Sequence, residues 1–153
     1  MQIGFYFDQQ RCDGCATCVV ACKQWHDVPA GPAAWLRVQT FEEGEFTKLW
    51  LGHLLAACYH CAEPGCVAAC PTSAISKRAE DGIVVVDRAK CIPNCFACLH
   101  ACPYKAPQFR DEPEARLEKC DLCLDRLEEG KKPIFVAVCP VRAIYAGPLD
   151  ELK

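Results

Sequence analysis

Long apolar runs are missing from this sequence of 153 residues. Ile134–Val138, for example, is only five residues long, whereas a helix that spans a bilayer needs about 20. The first residues, Met1–Asp8, lack the basic segment, the apolar stretch and the cleavage site of a signal peptide. We therefore expect no direct membrane span and a cytoplasmic location; the alternative is export together with a partner that carries a signal.

An excess of positive charge is also missing. Lys and Arg number 17 against 20 Asp and Glu, which gives a formal net charge of −3. Nucleic-acid binding requires a basic face, so we expect no nucleic-acid partner. The sequence contains neither a glycine-rich phosphate loop nor a Ser–His–Asp arrangement. These absences predict a non-catalytic role for the chain itself.

Cysteine, by contrast, is abundant, with 15 residues. In a reducing compartment, cysteines bind metal or carry out redox chemistry more often than they form disulfides. An odd number also fits a fully paired disulfide framework poorly.

The cysteines fall into four groups. The groups are Cys12, Cys15, Cys18 and Cys22; Cys58, Cys61, Cys66 and Cys70; Cys91, Cys95, Cys98 and Cys102; and Cys120 and Cys123 with Cys139. Three groups end in Cys-Pro, and the segments Pro71–Ile75 and Pro140–Ile144 that follow two of them are similar. The chain therefore contains an internal repeat.

The spacing within the groups predicts iron–sulfur clusters. Cys-x2-Cys-x2-Cys-x3-Cys is the bacterial ferredoxin run, in which the fourth cysteine binds a different cluster from the first three. The first group follows it without exception, the second has a longer gap after Cys61, and the third has one extra residue after Cys91. Structural zinc is the alternative, but four cysteines within eleven to thirteen residues would crowd one tetrahedral ion.

Short strands are predicted between the groups. Ile3–Phe7 reads as a strand that could pair with Ile144-Tyr145 and bring the chain ends together. Two hairpins are predicted. Their strands are Trp35–Phe41 with Phe46–Leu51, and Ala74–Lys77 with Ile83–Val86.

Helices are predicted in two places. Short helices should follow the third cysteine of each group, as in Cys18–Cys22. A longer helix is predicted over Glu114–Glu129, running through the fourth group and ending at Gly130.

Four parts of the chain carry a family resemblance: Ile3–Asp8 with Arg11–Cys15, Cys102–Phe109, Lys119–Cys123 and Asp125–Pro133. They resemble the iron–sulfur subunits of the dimethyl-sulfoxide reductase family and related molybdenum and tungsten oxidoreductases. The resemblance implies an α+β fold in which two bacterial-ferredoxin-like halves, with short strands and helices, wrap around up to four clusters. It also implies a large molybdo- or tungstopterin catalytic subunit as partner, with a further redox subunit as a possible addition.

The resemblance further implies four ligand sets, which we number as sites. Site 1 is Cys12, Cys15, Cys18 and Cys139. Site 2 is Cys58, Cys61, Cys66 and Cys102. Site 3 is Cys91, Cys95, Cys98 and Cys70. Site 4 is Cys22, Cys120 and Cys123, with Phe135 where the family has a fourth cysteine.

Phe135 cannot ligate iron, which leaves three outcomes for site 4. These are a 3Fe-4S cluster on three cysteines, a 4Fe-4S cluster with water or a carboxylate at the open corner, and no cluster. Asp121 and Asp125 are the candidate carboxylates. We expect a cluster, because three unligated thiolates in a small core would be prone to oxidation.

The domain prediction is a single polyferredoxin domain over 1–153. Half A comprises 1–30 and 110–153, half B comprises 52–109, and a hairpin insertion covers 33–51. Members of the family that dock on membrane anchors usually carry a longer C-terminal extension, so we expect a compact soluble complex.

The predicted function is transfer of single electrons through three or four clusters, to or from the pterin-containing subunit. The alternatives are a free-standing polyferredoxin shuttle and a redox-sensing or structural iron–sulfur protein.

Side chains outside the ligand sets have simpler predicted roles. The four histidines, His26, His53, His60 and His100, are predicted to pack or to form hydrogen bonds. Lys23, Lys90 and Lys119 each flank a cysteine and could offset cluster charge. Trp25, Trp35 and Trp50 are predicted to lie in the core, with a partner-facing patch as the alternative.

Overall fold

The computed structural model describes residues 1–152. Its six strands form three separate antiparallel two-stranded sheets. The strands are β1 (Ile3–Phe7), β2 (Arg37–Glu43), β3 (Trp50–Ala56), β4 (Ile75–Lys77), β5 (Val84–Val86) and β6 (Ile144–Pro148). The helices are α1 (Thr17–Trp25), α2 (Gly65–Ala68), α3 (Ala97–Ala101), α4 (Leu124–Glu128) and α5 (Ile134–Ala137). Within residues 1–152, no helix has the length and apolar character needed to cross a membrane.

Pairing of β1 with β6 brings the two ends of the chain together. Phe7 lies opposite Ile144, and Tyr6 lies opposite Tyr145. The amide of Ile3 also donates a hydrogen bond to the carbonyl of Asp81 at 2.8 Å, which ties this sheet to the turn between β4 and β5. The predicted pairing of the ends is confirmed.

Both predicted hairpins form, but the first is displaced. The β2–β3 hairpin pairs Glu43 with Trp50, so its second strand begins four residues later than predicted and runs on to Ala56. Phe46 lies in the connecting turn and is 91% exposed. The turn opens at Gly44, whose φ of +94° favours glycine. The β4–β5 hairpin agrees with the prediction.

Helices α1 and α3 begin one residue before the third cysteine of their groups, Cys18 and Cys98, rather than after it. In each case the preceding residue, Ala16 or Phe96, has a left-handed backbone. The chain therefore turns sharply after the second cysteine and directs the third from the first turn of a helix.

The predicted helix over Glu114–Glu129 is wrong for most of its length. Glu118 instead forms an antiparallel bridge with Gln108, and Leu122 and Cys123 have φ of +60° and +51°. Left-handed residues interrupt a right-handed helix, because each costs about 1–2 kcal/mol there. Only α4, which begins after Cys123, is helical.

The core is shared between cysteines and ordinary apolar side chains. The larger buried cluster contains Leu36, Leu55, Ile83, Leu122 and Phe135 together with five cysteines, Cys18, Cys22, Cys58, Cys120 and Cys123. A smaller cluster contains Ile75, Val84 and Leu117 with Cys98. Six of the predicted ligands are therefore buried inside the fold: Cys18, Cys22, Cys58, Cys98, Cys120 and Cys123.

Candidate iron–sulfur centres

The four cysteines of site 1 line one pocket, together with apolar residues that include Val38 and Leu55. Cys139 reaches this pocket from the far end of the chain, and its Sγ accepts a hydrogen bond from the amide of Ala143 at 3.2 Å. Burial, and to a smaller extent the other three thiols of the site, raise the pKa of the Cys18 thiol to about 11. Without a metal, the Cys18 thiol would therefore be protonated at neutral pH.

The four cysteines of site 3 line a second pocket, with Phe96, Phe109 and Leu117 among its walls. Main-chain amides point at two of the sulfurs. Ala74 donates to Cys70 Sγ at 3.2 Å, and Leu117 donates to Cys91 Sγ at 3.5 Å. Burial, and to a smaller extent the nearby Cys91, raise the pKa of Cys98 to about 11. Donated amide hydrogen bonds stabilise negative charge on sulfur, as cluster ligation requires.

Three of the four site 2 cysteines influence one another. Burial raises the pKa of the Cys66 thiol, and the thiols of Cys58 and Cys102 raise it further. The Sγ of Cys102 accepts a hydrogen bond from the amide of Ala106 at 3.4 Å. Cys61 is exposed.

Site 4 contains three fully buried thiols, those of Cys22, Cys120 and Cys123. Burial raises the pKa of Cys22 far above its ordinary value, and the nearby Cys123 and Asp121 add to this. The amide of Ile134 donates to Cys123 Sγ at 3.4 Å, which places the first turn of α5 beside the site. Phe135 follows at once, 1% exposed, with its ring packed edge-on against Phe5 at 5.9 Å.

Comparison with known proteins places this chain in a family. One model of the 4Fe-4S dicluster domain matches residues 52–149, and another matches residues 11–75. The B chain of the anaerobic dimethyl sulfoxide reductase of Escherichia coli K12 is 43% identical over 160 residues, covering 99% of this chain and 76% of that protein.

The chain belongs to the 4Fe-4S dicluster family of dimethyl sulfoxide reductase iron–sulfur subunits. Other members include the B subunit of the sulfite dehydrogenase of Allochromatium vinosum, 38% identical over 170 residues and covering 98% of this chain and 70% of that protein. The thiosulfate reductase electron transfer subunit PhsB of Salmonella typhi is 38% identical over 146 residues, covering 94% and 74%. The predicted family is confirmed, and with it a ferredoxin-like fold of short helices and strands.

An internal repeat of this dicluster fold shows what Phe135 replaces. Segments Pro64–Ile75 and Pro133–Ile144 each comprise a proline, a four-residue helix, a Cys-Pro pair and a strand start. Ser73 and Arg142, at equivalent positions, both have φ of +52°. In this register Cys66 and Phe135 occupy the same position, two residues after the proline. Phe135 therefore stands where the other half of the molecule has a cysteine.

The two candidate carboxylates near site 4 already have partners. Asp125 accepts a hydrogen bond from Trp25 Nε1 at 2.9 Å. Asp121 accepts one from the amide of Cys123 at 2.8 Å. Neither contact directs a carboxylate to the position of Phe135.

His26 lies beside site 4, a placement that the sequence analysis did not predict. Its Nε2 is 3.4 Å from Cys123 Sγ and 3.8 Å from an oxygen of Asp121, and its ring stacks on Trp35 at 4.2 Å. The predicted packing and hydrogen-bonding role of His26 is confirmed. The available signal was its position four residues after Cys22, one helical turn further along the chain.

The distances between potential ligand atoms distinguish a cluster site from a site for a single zinc ion. Among residues 1–152, one set of three potential metal ligands has its ligand atoms within 4.8 Å of one another: His26, Asp121 and Cys123. At a Zn–S distance of about 2.3 Å, the sulfur ligands of one tetrahedral ion lie about 3.8 Å apart. No three thiols in the described part of the sequence come that close together, so the cysteine groups are not arranged around a single zinc position.

Two buried polar side chains also fit an anionic cofactor. Lys119 is buried, and its Nζ donates to the main-chain carbonyls of Val84 and Cys120. Its positive charge acts on the thiols of Cys66 and Cys120. His60 is buried with an Nε2 that has no partner among residues 1–152. Burial, followed by Lys119 and Lys77, lowers the pKa of His60 to about 3, so its ring is neutral. The residues present therefore suit iron–sulfur clusters.

The three tryptophans are all predicted to lie in the core, but only one of them is buried in part. Trp35 is partly buried and donates from Nε1 to Glu118 at 3.1 Å. Trp25 and Trp50 are exposed, so the core prediction is wrong for these two. Trp50 is held at the surface because it starts β3, next to the turn of the hairpin.

Proposed function

We propose that this chain is an electron-transfer subunit that carries single electrons through three or four iron–sulfur clusters, to or from a molybdo- or tungstopterin catalytic subunit. The observation that carries the proposal is the gathering of remote cysteines around shared pockets, in a protein 43% identical to the B chain of a dimethyl sulfoxide reductase. When bound, such clusters supply one-electron redox chemistry.

The ligand assignments are part of this proposal. Sites 1, 2 and 3 each bind a 4Fe-4S cluster on four cysteines, and site 4 binds a cluster on three cysteines, either 3Fe-4S or 4Fe-4S with an open corner. The shared pockets support sites 1 and 3. The interacting thiols support sites 2 and 4. Crossed ligation of this kind joins 1–30 to 110–153 as one ferredoxin-like half and holds 52–109 as the other.

The order of the sites gives electrons a route. Cys18 of site 1 raises the pKa of Cys22 of site 4. Cys58 of site 2 raises the pKa of Cys120, which also belongs to site 4. Cys66 of site 2 raises the pKa of Cys98 of site 3. These neighbouring pairs support the order 1, 4, 2 and 3. In this order site 4 lies in the interior of the route, so its occupancy determines whether electrons pass from end to end.

The partner and the location are proposals of the same kind. The sulfite dehydrogenase and thiosulfate reductase relatives are named as subunits, which supports assembly with a larger catalytic chain. The cytoplasmic location stays a prediction.

Anaerobic co-purification from the native host tests the proposal. We expect the chain to purify with a large pterin-containing subunit, and the complex to show several reversible one-electron potentials. A chain that purifies alone with reversible potentials would indicate the polyferredoxin shuttle. Clusters that are not reversibly reduced would indicate the sensing or structural role.

A further inference from the structure

His60 is a buried imidazole that the ligand sets do not use. It lies between Cys58 and Cys61 of site 2, is 1% exposed, and has a left-handed backbone with φ of +46°. Its ring therefore lies inside the fold, on a loop that carries two of the proposed ligands of site 2.

One hydrogen bond determines the tautomer of this ring. The amide of Val84 donates to His60 Nδ1 at 2.9 Å, so Nδ1 carries a lone pair. In a neutral imidazole the proton is then on Nε2, which makes Nε2 a donor. The charged groups that act on His60 are Lys119 and Lys77. A lysine ammonium group only donates hydrogen bonds, so neither can accept one from Nε2.

The Nε2 donor has no acceptor within residues 1–152, including sulfur acceptors. A buried donor without an acceptor is destabilising, and nearly all such groups in folded proteins are satisfied. An acceptor that belongs to the bound cofactor resolves this, because the sulfurs of an iron–sulfur cluster accept hydrogen bonds.

The internal repeat provides a comparison for His60. Cys120-x2-Cys123 of site 4 corresponds to Cys58-x2-Cys61 of site 2, so Leu122 occupies the position of His60. Leu122 is also buried, at 0% exposure, and also left-handed, with φ of +60°. The backbone is thus alike at both positions, but of these two side chains only that of His60 carries a hydrogen-bond donor.

We propose that the Nε2–H of His60 donates a hydrogen bond to a sulfur of the cluster at site 2 and raises the reduction potential of that cluster. The bond stabilises the additional negative charge of the reduced state, which is how hydrogen bonds to sulfur tune such centres. His60 is in this sense a positioning and tuning residue and not a ligand. The inference rests on the proposed function, since it requires a cluster at site 2.

The test uses the full chain, purified anaerobically with its clusters and labelled with ¹⁵N-histidine. Pulsed electron–nuclear double resonance of the reduced protein should show a weak ¹⁵N coupling and an exchangeable-proton coupling. The couplings to the cluster at site 2 should be lost in His60→Leu, which copies Leu122, whereas a coupling from His26, which lies 3.4 Å from Cys123 Sγ at site 4, should remain. The midpoint potential of one cluster should fall in the same variant.

Two further variants make the result specific. His100→Leu removes an exposed histidine from the third cysteine group and should leave both couplings and all potentials unchanged. His60→Gln keeps an N–H donor and should restore part of the lost potential.

If the unsubstituted protein has normal iron content but shows the same couplings as His60→Leu, the inference is overturned and the proposed function stays intact. This is also the result expected if a buried water accepts the bond. Equal potentials in the His60→Leu and His100→Leu variants would overturn the inference too. Iron-free protein would instead overturn the proposed function. If His60→Leu does not fold, His60→Gln gives the same comparison, because it also removes the labelled imidazole.

Discussion

The two halves of the molecule contain segments with the same backbone conformation but different potential ligands. Pro64–Ile75 and Pro133–Ile144 have the same helix, turn and strand start, and the same amide-to-sulfur hydrogen bond of 3.2 Å at Cys70 and Cys139. One segment nevertheless presents Cys66 and the other Phe135. The comparison shows that the local backbone does not depend on the fourth thiol, because a buried aromatic ring occupies the same position.

The largest expected effect is that of removing the metal, which tests whether either half folds without it. Anaerobic chelation should abolish the near-ultraviolet circular dichroism of both halves, because the buried thiols replace much of an ordinary apolar core. Each ligand must lose a proton to bind iron, so iron release should accelerate as the pH falls. Retention of native dichroism by the iron-free chain would contradict this.

Copying the Phe135 half into the other half gives the next largest effect. Cys66→Phe removes a ligand from site 2 and inserts a ring, which should cost about 1–3 kcal/mol in overpacking and lower the iron content. Cys66→Ala is the control, because it removes the same ligand without the ring. Iron content measured by colorimetric assay should fall in both variants, and unchanged iron content together with unchanged electron paramagnetic resonance spectra in Cys66→Ala would exclude Cys66 as a ligand.

The reverse exchange, Phe135→Cys, should complete site 4. If the site holds a three-iron cluster, the variant should gain about one iron atom per chain, and the signal of the oxidised three-iron centre should disappear from the electron paramagnetic resonance spectrum. Loss of the ring should also destabilise the chain by about 3 kcal/mol if the cavity is not refilled. Phe135→Leu provides the control, with no gain of iron. An unchanged spectrum in Phe135→Cys would show that the ligand set of site 4 is wrong.

Much of this organisation could be predicted from the sequence, because it depends on local signals. The spacing of the cysteines, the Asp81-Gly82 turn and the Cys-Pro repeat are each read within a few residues. The helix predicted through Cys120 and Cys123 fails because the left-handed backbone of Leu122 and Cys123 has no compositional signal. The placement of His26 against Cys123 and of His60 against Val84 depends on contacts between remote segments.

Substitution of Lys119 should have a smaller effect, on cluster potentials, and it can be compared with substitution of another lysine that directly precedes a cysteine. It precedes Cys120 and is buried, whereas Lys90 precedes Cys91 and is exposed. Lys119→Met should lower the potentials of the clusters at sites 2 and 4, because a buried positive charge stabilises their reduced forms. Lys90→Met should shift no potential measurably, since water screens its charge. Equal shifts in the two variants, measured by potentiometric titration, would show that the buried position has no special role.

Substitution of the carboxylates at site 4 should have the smallest effect. In the repeat, Asp121 stands where site 2 has Tyr59. Asp121→Asn keeps the acceptor for the Cys123 amide, so the iron content should not change and stability should change by less than about 0.5 kcal/mol. Asp125→Asn is the matched control. Loss of iron in Asp121→Asn alone would identify this carboxylate as the missing ligand.

The central claim is that thiols from distant segments share iron–sulfur clusters. Quantification of iron and acid-labile sulfide in the anaerobically purified chain, together with electron paramagnetic resonance of the oxidised protein, tests it most directly. We predict about 15 iron atoms per chain, with a three-iron signal from site 4, whereas about 12 would leave that site empty. A folded chain that contains no iron would contradict the claim.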